Sequence, residues 1–155
     1  MTEHHYRLAV EWTGDRGTGT SGYRDYDRAI TVAAAGKPEL LTSADRTFHG
    51  DAARWNPEEL LVAALSTCHL LSYLHVASRE GIVVTGYTDD PVGTMAQEGI
   101  GGRFTEVVLR PVVTVTEESM VEQAVVAHHA ASEACFIAAS VNFPVRHEPT
   151  ITVAR

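Results

Sequence analysis

The sequence predicts an α+β fold in which a mostly antiparallel sheet packs on two core helices. Strand-like segments with alternating apolar residues stand near both ends of the chain and between two long helical segments. No internal repeat and no low-complexity tract interrupts that order. With 155 residues, the chain fits a single domain, 1–155, that buries a core of its own.

The first predicted element is a β-hairpin. Its strands, His5 to Thr13 and Tyr26 to Ala34, carry strand-forming residues around a glycine-rich segment from Gly14 to Gly22. The segment Gly36 to Trp55 follows and is polar, without a clear periodicity. We predict a long ordered loop there, and long loops in compact domains often carry function.

A long helix is predicted in the middle of the chain. Asn56 is a favourable capping residue, Pro57 suits the first helical position, and Glu59 stands three residues after the cap. The helix should run to about Arg79, because Gly81 lies just past that point. Since the segment is apolar on most of its faces, we expect other elements to surround it.

The remaining elements follow in the second half of the chain. Ile82 to Tyr87 and Arg103 to Val115 alternate like strands, and the glycines of Gly99–Gly102 predict a second hairpin turn. An apolar stripe from Met120 to Cys135 predicts the second helix. A last strand is predicted over His147 to Val153.

Charge and composition exclude several functional classes. The formal net charge of −8 has the wrong sign for a protein that binds nucleic acid or anionic lipid. The N-terminus lacks the apolar run of a secretory signal, so we expect a cytoplasmic protein. Leu60 to Ser78 is long enough to span a bilayer and carries no charge, but Ser, Thr, His and Tyr interrupt it. We therefore expect a buried helix and no membrane partner.

Two cysteines, Cys68 and Cys135, are the candidates for redox chemistry. In a reducing cytosol such thiols either pack in the core or react, and spacing alone leaves both possibilities open. Both cysteines lie on the inner stripes of the two predicted helices. If these helices pack together, the two sulfurs could meet, since a disulfide requires Cα atoms within about 7 Å.

Four histidines near the cysteines in sequence are the candidates for metal ligands. They are His69, His75, His128 and His129. None has the spacing of a closed zinc site, so we predict ordinary core or surface residues. Neither a metal nor another cofactor is expected.

Three segments together resemble the OsmC/Ohr family. They are Asn56–His69 with the order Asn-Pro-Glu-Glu-Leu-Leu-Val-Ala-Ala-Leu-Ser-Thr-Cys-His, Cys135–Val141, and Gly22–Asp25. The resemblance implies the OsmC-like fold, an intertwined homodimer, and a cysteine-based peroxidase that reduces organic hydroperoxides. It also implies a dithiol reductant, which is a protein-bound lipoyl group in some members.

The resemblance assigns roles to four residues. Cys68 matches the peroxidatic cysteine and Cys135 the resolving one, Arg24 matches the arginine that activates the thiolate, and Glu58 the carboxylate that holds it. Arg28, four residues after Arg24, competes for the activating role.

The chemistry requires a cation beside Cys68. Burial raises the pKa of a thiol, and a helix dipole does not help in the middle of a helix. An arginine stays charged when buried and can donate to both the thiolate and a peroxide oxygen, and Glu58 can balance its charge. Ten helical residues place Glu58 about 15 Å along the axis from Cys68. We therefore predict that a second, antiparallel copy of the helix completes each active site at a dimer interface.

Two other functions remain possible at this point. The same fold could form a non-catalytic dimer that binds an apolar ligand at its interface, with inert cysteines. A redox sensor whose disulfide changes a partner surface is the third possibility, although no DNA-reading helix or basic patch supports it.

Overall fold

The computed structural model describes residues 1–155, and contacts between residues group them into two compact units, Met1–Leu60 and Leu61–Arg155. The elements in chain order are β1 (Ala9–Trp12), β2 (Ile30–Ala33), β3 (Leu40–Thr42), α1 (Pro57–Arg79), β4 (Val84–Asp89), β5 (Val92–Glu98), β6 (Gly101–Leu109), β7 (Pro111–Val115), α2 (Val121–Glu133), β8 (Val145–His147) and β9 (Thr150–Val153). The predicted α+β class is confirmed. Whether the chain is one domain stays a prediction.

The first unit contains a three-stranded antiparallel sheet in the order β1-β2-β3. The predicted hairpin is confirmed, although both of its strands are shorter than expected. The prediction of a loop without strands from Gly36 to Trp55 is wrong in part. Its apolar Leu40–Leu41 step pairs with β2, and Arg46–Phe48 forms a single 3₁₀ turn, capped by the Asp45 side chain.

α1 begins where the sequence predicts, because its first turn forms a reciprocal capping box. The Glu59 amide donates to Asn56 Oδ1 at 2.8 Å, and the Asn56 amide donates to Glu59 Oε2 at 3.2 Å. At the other end, Gly81 adopts a φ of 73°, which an L side chain rarely adopts. Both predicted ends of the helix are confirmed.

α1 is also long and apolar enough to cross a membrane, judged by length and composition alone. The core helix of a soluble protein has the same two properties.

The second unit contains two three-stranded sheets, β4-β7-β9 and β5-β6-β8. β4 pairs with β7 and β5 with β6 in antiparallel fashion, while β8 and β9 join β6 and β7 in parallel. Four of the six strand pairs are antiparallel, as expected, but the strands form three separate sheets and not a single one.

Several strand predictions in this unit are wrong in detail. The sequence predicts one strand from Arg103 to Val115, but the chain changes sheets at Arg110, because Pro111 lacks a backbone N–H and restricts the residue before it. Val92–Glu98 is a strand that the sequence did not predict, and it forms the second hairpin with β6 around Gly99. The predicted last strand is interrupted by Glu148 and Pro149.

The core of the second unit consists of two clusters. In the larger one, Tyr73 and Ala77 of α1 pack with Val113 and Val115 of β7 and with three alanines on the inner side of α2. In the smaller one, Leu65 of α1 packs with the end of β6. α1 residues thus contribute to both clusters. However, only five of the 23 residues of α1 are buried, and Leu71 and Leu74 are 67% and 39% exposed, so the expectation of a buried helix surrounded on most of its faces is wrong for this chain by itself.

Candidate active site

Cys68 and Cys135 lie side by side in the second unit. Cys68 is half-buried on α1, and Cys135 follows the end of α2 with 1% of its surface exposed. Burial is the main cause that raises the pKa of the Cys135 thiol, and the neighbouring Cys68 side chain raises it further. The two thiols are free and adjacent, with one accessible and one enclosed.

Local hydrogen bonds hold Cys135 in this position. The Cys135 amide donates to the Ser132 carbonyl at 3.2 Å, which extends the last turn of α2. After it, the Ala139 amide donates to the Cys135 carbonyl at 3.1 Å, and Ser140 Oγ donates to the Phe136 carbonyl at 2.7 Å. The chain around the second cysteine is therefore a compact turn, which limits the positions that its sulfur can take.

A contact between the two helices lies one turn along α1 from Cys68. Ser72 Oγ donates to the Ala134 carbonyl at 3.5 Å, next to Cys135. This bond joins the end of α2 to the face of α1 that carries the first cysteine. The helical stripes in the sequence predicted that the sulfurs could meet, and the structure brings them together.

Arg24 and Glu58 both belong to the first unit and form no ion pair with each other. Arg24 is exposed in the loop between β1 and β2, and its guanidinium contacts no carboxylate. Glu58 is half-buried in the first turn of α1, and its Oε2 is buried without a hydrogen-bond partner. Their assigned roles stay predictions.

The side chain of Arg28, which competes with Arg24 for the activating role, is held more firmly than that of Arg24. Its Nη1 donates to the Tyr26 carbonyl at 2.7 Å and its Nη2 to the Tyr23 carbonyl at 2.6 Å. Its guanidinium carbon also lies 4.2 and 4.5 Å from the centroids of the same two tyrosine rings. Arg28 is thus fixed by neutral groups and keeps an unpaired charge.

A group of stacked imidazoles forms a feature that the sequence did not reveal. His69 Nε2 and His128 Nδ1 share a hydrogen bond of 2.9 Å in the core of the second unit. The His147 ring lies 5.4 Å from His69 and 5.9 Å from His128, and Tyr73 stacks on His128 at 4.0 Å. The spacing of His69 and Tyr73, four residues apart on α1, is the one local signal that could have indicated part of this group.

Burial keeps these histidines neutral near pH 7. It is the main cause that lowers the pKa of His69 to about 4 and that of His128 to about 3, and the neighbouring imidazoles lower both further. Asp89 acts in the opposite direction on His69. No three His, Cys, Asp or Glu side chains are arranged to hold a metal ion.

A family model and a solved structure point to one family. A family model described as OsmC-like protein matches residues 49–150. A solved OsmC-like protein of unknown function from Vibrio cholerae is 36% identical, with a TM-score of 0.82 over 96% of this chain and 99% of that one. The Bacillus subtilis protein YmaD, itself uncharacterized, is 25% identical over 91% of this chain and 89% of its own.

A more distant solved structure shares the fold alone. It is an organic hydroperoxide resistance protein from Elizabethkingia anophelis, 18% identical, with a TM-score of 0.68 over 99% of this chain and 100% of that one.

Proposed function

The chain belongs to the OsmC-like protein family, and from this membership we propose that it is a cysteine-based peroxidase that reduces organic hydroperoxides. The observation that carries the proposal is the adjacency of two free thiols, of which Cys68 is accessible and Cys135 is buried. An accessible thiol can meet a peroxide, and a buried neighbour can close a disulfide with it. The hydroperoxide resistance protein from Elizabethkingia anophelis has the same fold, which agrees with this chemistry.

The reaction proceeds in three balanced steps. The Cys68 thiolate attacks the terminal oxygen of the hydroperoxide, the O–O bond breaks, and the alkoxide takes up a proton and leaves as an alcohol. Cys68 is thereby oxidised to a sulfenic acid. The Cys135 thiolate then attacks that sulfur, an S–S bond forms, and hydroxide leaves with a proton as water. An external dithiol supplies two electrons by exchange, which restores both thiols and leaves the dithiol as a disulfide.

Arg24 is the cation that stabilises the Cys68 thiolate and the departing oxygen in this scheme, and Glu58 holds it. The buried Glu58 Oε2 supports an ion pair that forms on assembly, because a buried carboxylate oxygen without a partner is costly. Loss of activity in Arg28→Met but not in Arg24→Met would move the role to Arg28.

The active enzyme is a homodimer in the cytoplasm. Leu8, Val10 and Trp12 in and before β1 are 68%, 68% and 43% exposed, although they alternate along one side of a strand. Leu71 on α1 is 67% exposed as well. Apolar surfaces of this kind are typical of subunit interfaces, and a second copy covers them in the proposed dimer. The reductant is a dithiol, including a lipoyl group carried by another protein, and no nucleic acid or membrane takes part.

Peroxide consumption with a dithiol reductant tests the proposal. The wild type should turn over cumene hydroperoxide, and Cys68→Ser should fall to the uncatalysed rate, because serine cannot form the attacking thiolate. Thr67→Ser, at the exposed neighbouring position, is the matched control and should retain activity. Equal turnover in wild type and Cys68→Ser would contradict the peroxidase proposal. It would favour the alternative function, a non-catalytic dimer that binds an apolar ligand.

A further inference from the structure

The first unit contains a cavity whose lining includes Arg28, the arginine that competes with Arg24 for the activating role. Its volume is about 400 Å³, and all its lining residues belong to Met1–Leu60. The polar part of the lining consists of Asp27, Arg28, Ser43, His49, Asp51 and Arg54. Two arginines, a histidine and a serine therefore line one space together with two aspartates.

Arg28 gives this cavity a fixed positive charge. Its two hydrogen bonds, to the Tyr23 and Tyr26 carbonyls, use two of the five N–H donors of a guanidinium. No carboxylate lies within ion-pair distance of it, and both tyrosine rings stack against it. The charge is therefore held in place without being neutralised inside the chain.

Arg54 adds a donor without a partner. Its side chain is 26% exposed, and its Nη1 is buried with no hydrogen bond. Only its Nε is engaged, 3.5 Å from Asp51 Oδ2. A buried N–H group without an acceptor costs free energy, so an acceptor from a ligand would relieve that cost.

The two carboxylates that line the cavity are already engaged. Asp51 pairs with Arg54, and its Oδ1 accepts from the Ala53 amide at 2.9 Å. Asp27 lies 3.8 Å from Arg16, on the side of the loop between β1 and β2. The lining therefore holds two positive and two negative side chains, and Arg28 is the one among these four without an ion-pair partner.

Two residues of the lining, His49 and Gly50, have constrained backbones. His49 has a φ of 62°, a conformation that costs a non-glycine residue free energy. At Gly50 a Cβ would lie 1.6 Å from the Ala44 carbonyl oxygen, so only glycine fits. The Asp51 amide that follows donates to Ser43 Oγ at 3.0 Å.

We propose that this cavity is a binding site for the carboxylate group of a small organic acid, held by Arg54 and Arg28. A single arginine without an ion-pair partner suits a monoanion, whereas a phosphate group carries more than one negative charge near pH 7. A planar carboxylate also matches the fork of N–H groups that a guanidinium presents. The site goes beyond the peroxidase reaction, and binding there does not require Cys68.

Acetate is the probe for this proposal, with acetamide as its neutral counterpart of the same shape. In ¹⁵N-resolved spectra of the Cys68→Ser protein, acetate should shift the amides of Gly50 and Asp51 with saturation, at a dissociation constant of about 1 mM. Acetamide should leave these amides unshifted. Because the protein in this measurement lacks the proposed nucleophile, a failure here is independent of the peroxidase proposal.

Variants then test the residues. Arg54→Met should weaken acetate binding about tenfold or more, as expected for the loss of a charge-assisted hydrogen bond. Arg46→Met, at an exposed arginine of the same unit, is the matched control and should bind as the parent does. If Arg54→Met does not fold, acetate binding is measured on Arg54→Lys, which keeps the charge.

Three results would overturn the proposal. They are equal shifts with acetate and acetamide, unchanged acetate affinity in both Arg54 variants, and inorganic phosphate binding more tightly than acetate, which would assign the cavity to a different anion.

Discussion

His69 and His128 share a hydrogen bond of 2.9 Å between two imidazoles that are almost completely buried. Their rings are nearly parallel, with an angle of 11° between the planes. One proton lies between the two nitrogens, and the far nitrogen of His128, Nε2, is buried without a partner. A second proton on this pair would place a positive charge in the core of the second unit.

We therefore predict that stability falls as the pH decreases below about 6.5. The unfolded chain binds protons at these histidines near the ordinary histidine pKa of 6.5, whereas the folded chain does so only near 4 for His69 and 3 for His128. Between these pH values the unfolded state binds more protons than the folded state. Each histidine therefore lowers the free energy of unfolding by up to about 1.4 kcal/mol for every unit by which the pH falls. Urea unfolding from pH 7.5 to 5 measures this slope.

The variant His128→Phe should reduce that slope. Phenylalanine keeps a ring against Tyr73 but has no nitrogen to protonate in the unfolded state. His4→Phe, at an exposed position, is the control and should keep the wild-type slope. A His128→Phe protein with an unchanged slope between pH 6.5 and 5 would show that His128 does not cause the acid sensitivity.

The sequence predicted α1 well because its ends are fixed by local interactions. The capping box involves Asn56 and Glu59, which are three residues apart, and Gly81 ends the helix by its own backbone conformation. β5 could not be predicted in the same way. Its sequence, Val92–Glu98, mixes apolar and polar residues without regular alternation and contains a glycine, and it is a strand because β6 supplies its hydrogen bonds.

The same distinction, between local patterns and contacts made by residues far apart in sequence, explains which parts of the site could be predicted. The adjacency of Cys68 and Cys135 could be predicted because the apolar stripes of the two helices point toward each other, and helices pack by such stripes. Cys135 itself lies just past the end of α2, and not on the helix as the stripe had predicted. The group of histidines could not, since His147 comes from β8 and meets His69 only through the parallel pairing of β6 and β8. Nor could the cavity beside Arg54, whose lining combines residues from Asp27 to Arg54 that are distant in sequence.

Two tyrosines with buried hydroxyl groups should respond in opposite ways to loss of that group. Tyr73 Oη donates to the Ala124 carbonyl at 3.0 Å, so Tyr73→Phe should cost about 1 kcal/mol of unfolding free energy. Tyr87 Oη is buried without a partner, so Tyr87→Phe should be neutral or stabilising. Each variant is the control for the other in urea unfolding. A larger loss in Tyr87→Phe than in Tyr73→Phe would contradict the two hydrogen-bond assignments.

The cap of α1 should contribute measurably to stability. Asn56→Ala removes the acceptor of the Glu59 amide, and we expect a loss of about 1 kcal/mol, whereas Asn56→Asp keeps an acceptor and should lose little. Asn142→Ala, at an exposed asparagine, is the matched control. The prediction fails if Asn56→Ala and Asn142→Ala unfold at the same urea concentration.

The buried position of Cys135 predicts which oxidation product accumulates. With one equivalent of organic hydroperoxide, the wild-type chain should become lighter by one hydrogen from each thiol, because the Cys68 sulfenic acid condenses with the adjacent Cys135. In Cys135→Ser no second thiol is present, so Cys68 should stay one oxygen heavier and react with dimedone. Cys68→Ser is the control and should gain no dimedone. Mass spectrometry under non-reducing conditions distinguishes these species, and a disulfide that joins two chains would contradict the resolving role, because the resolving sulfur lies beside Cys68 in the same unit.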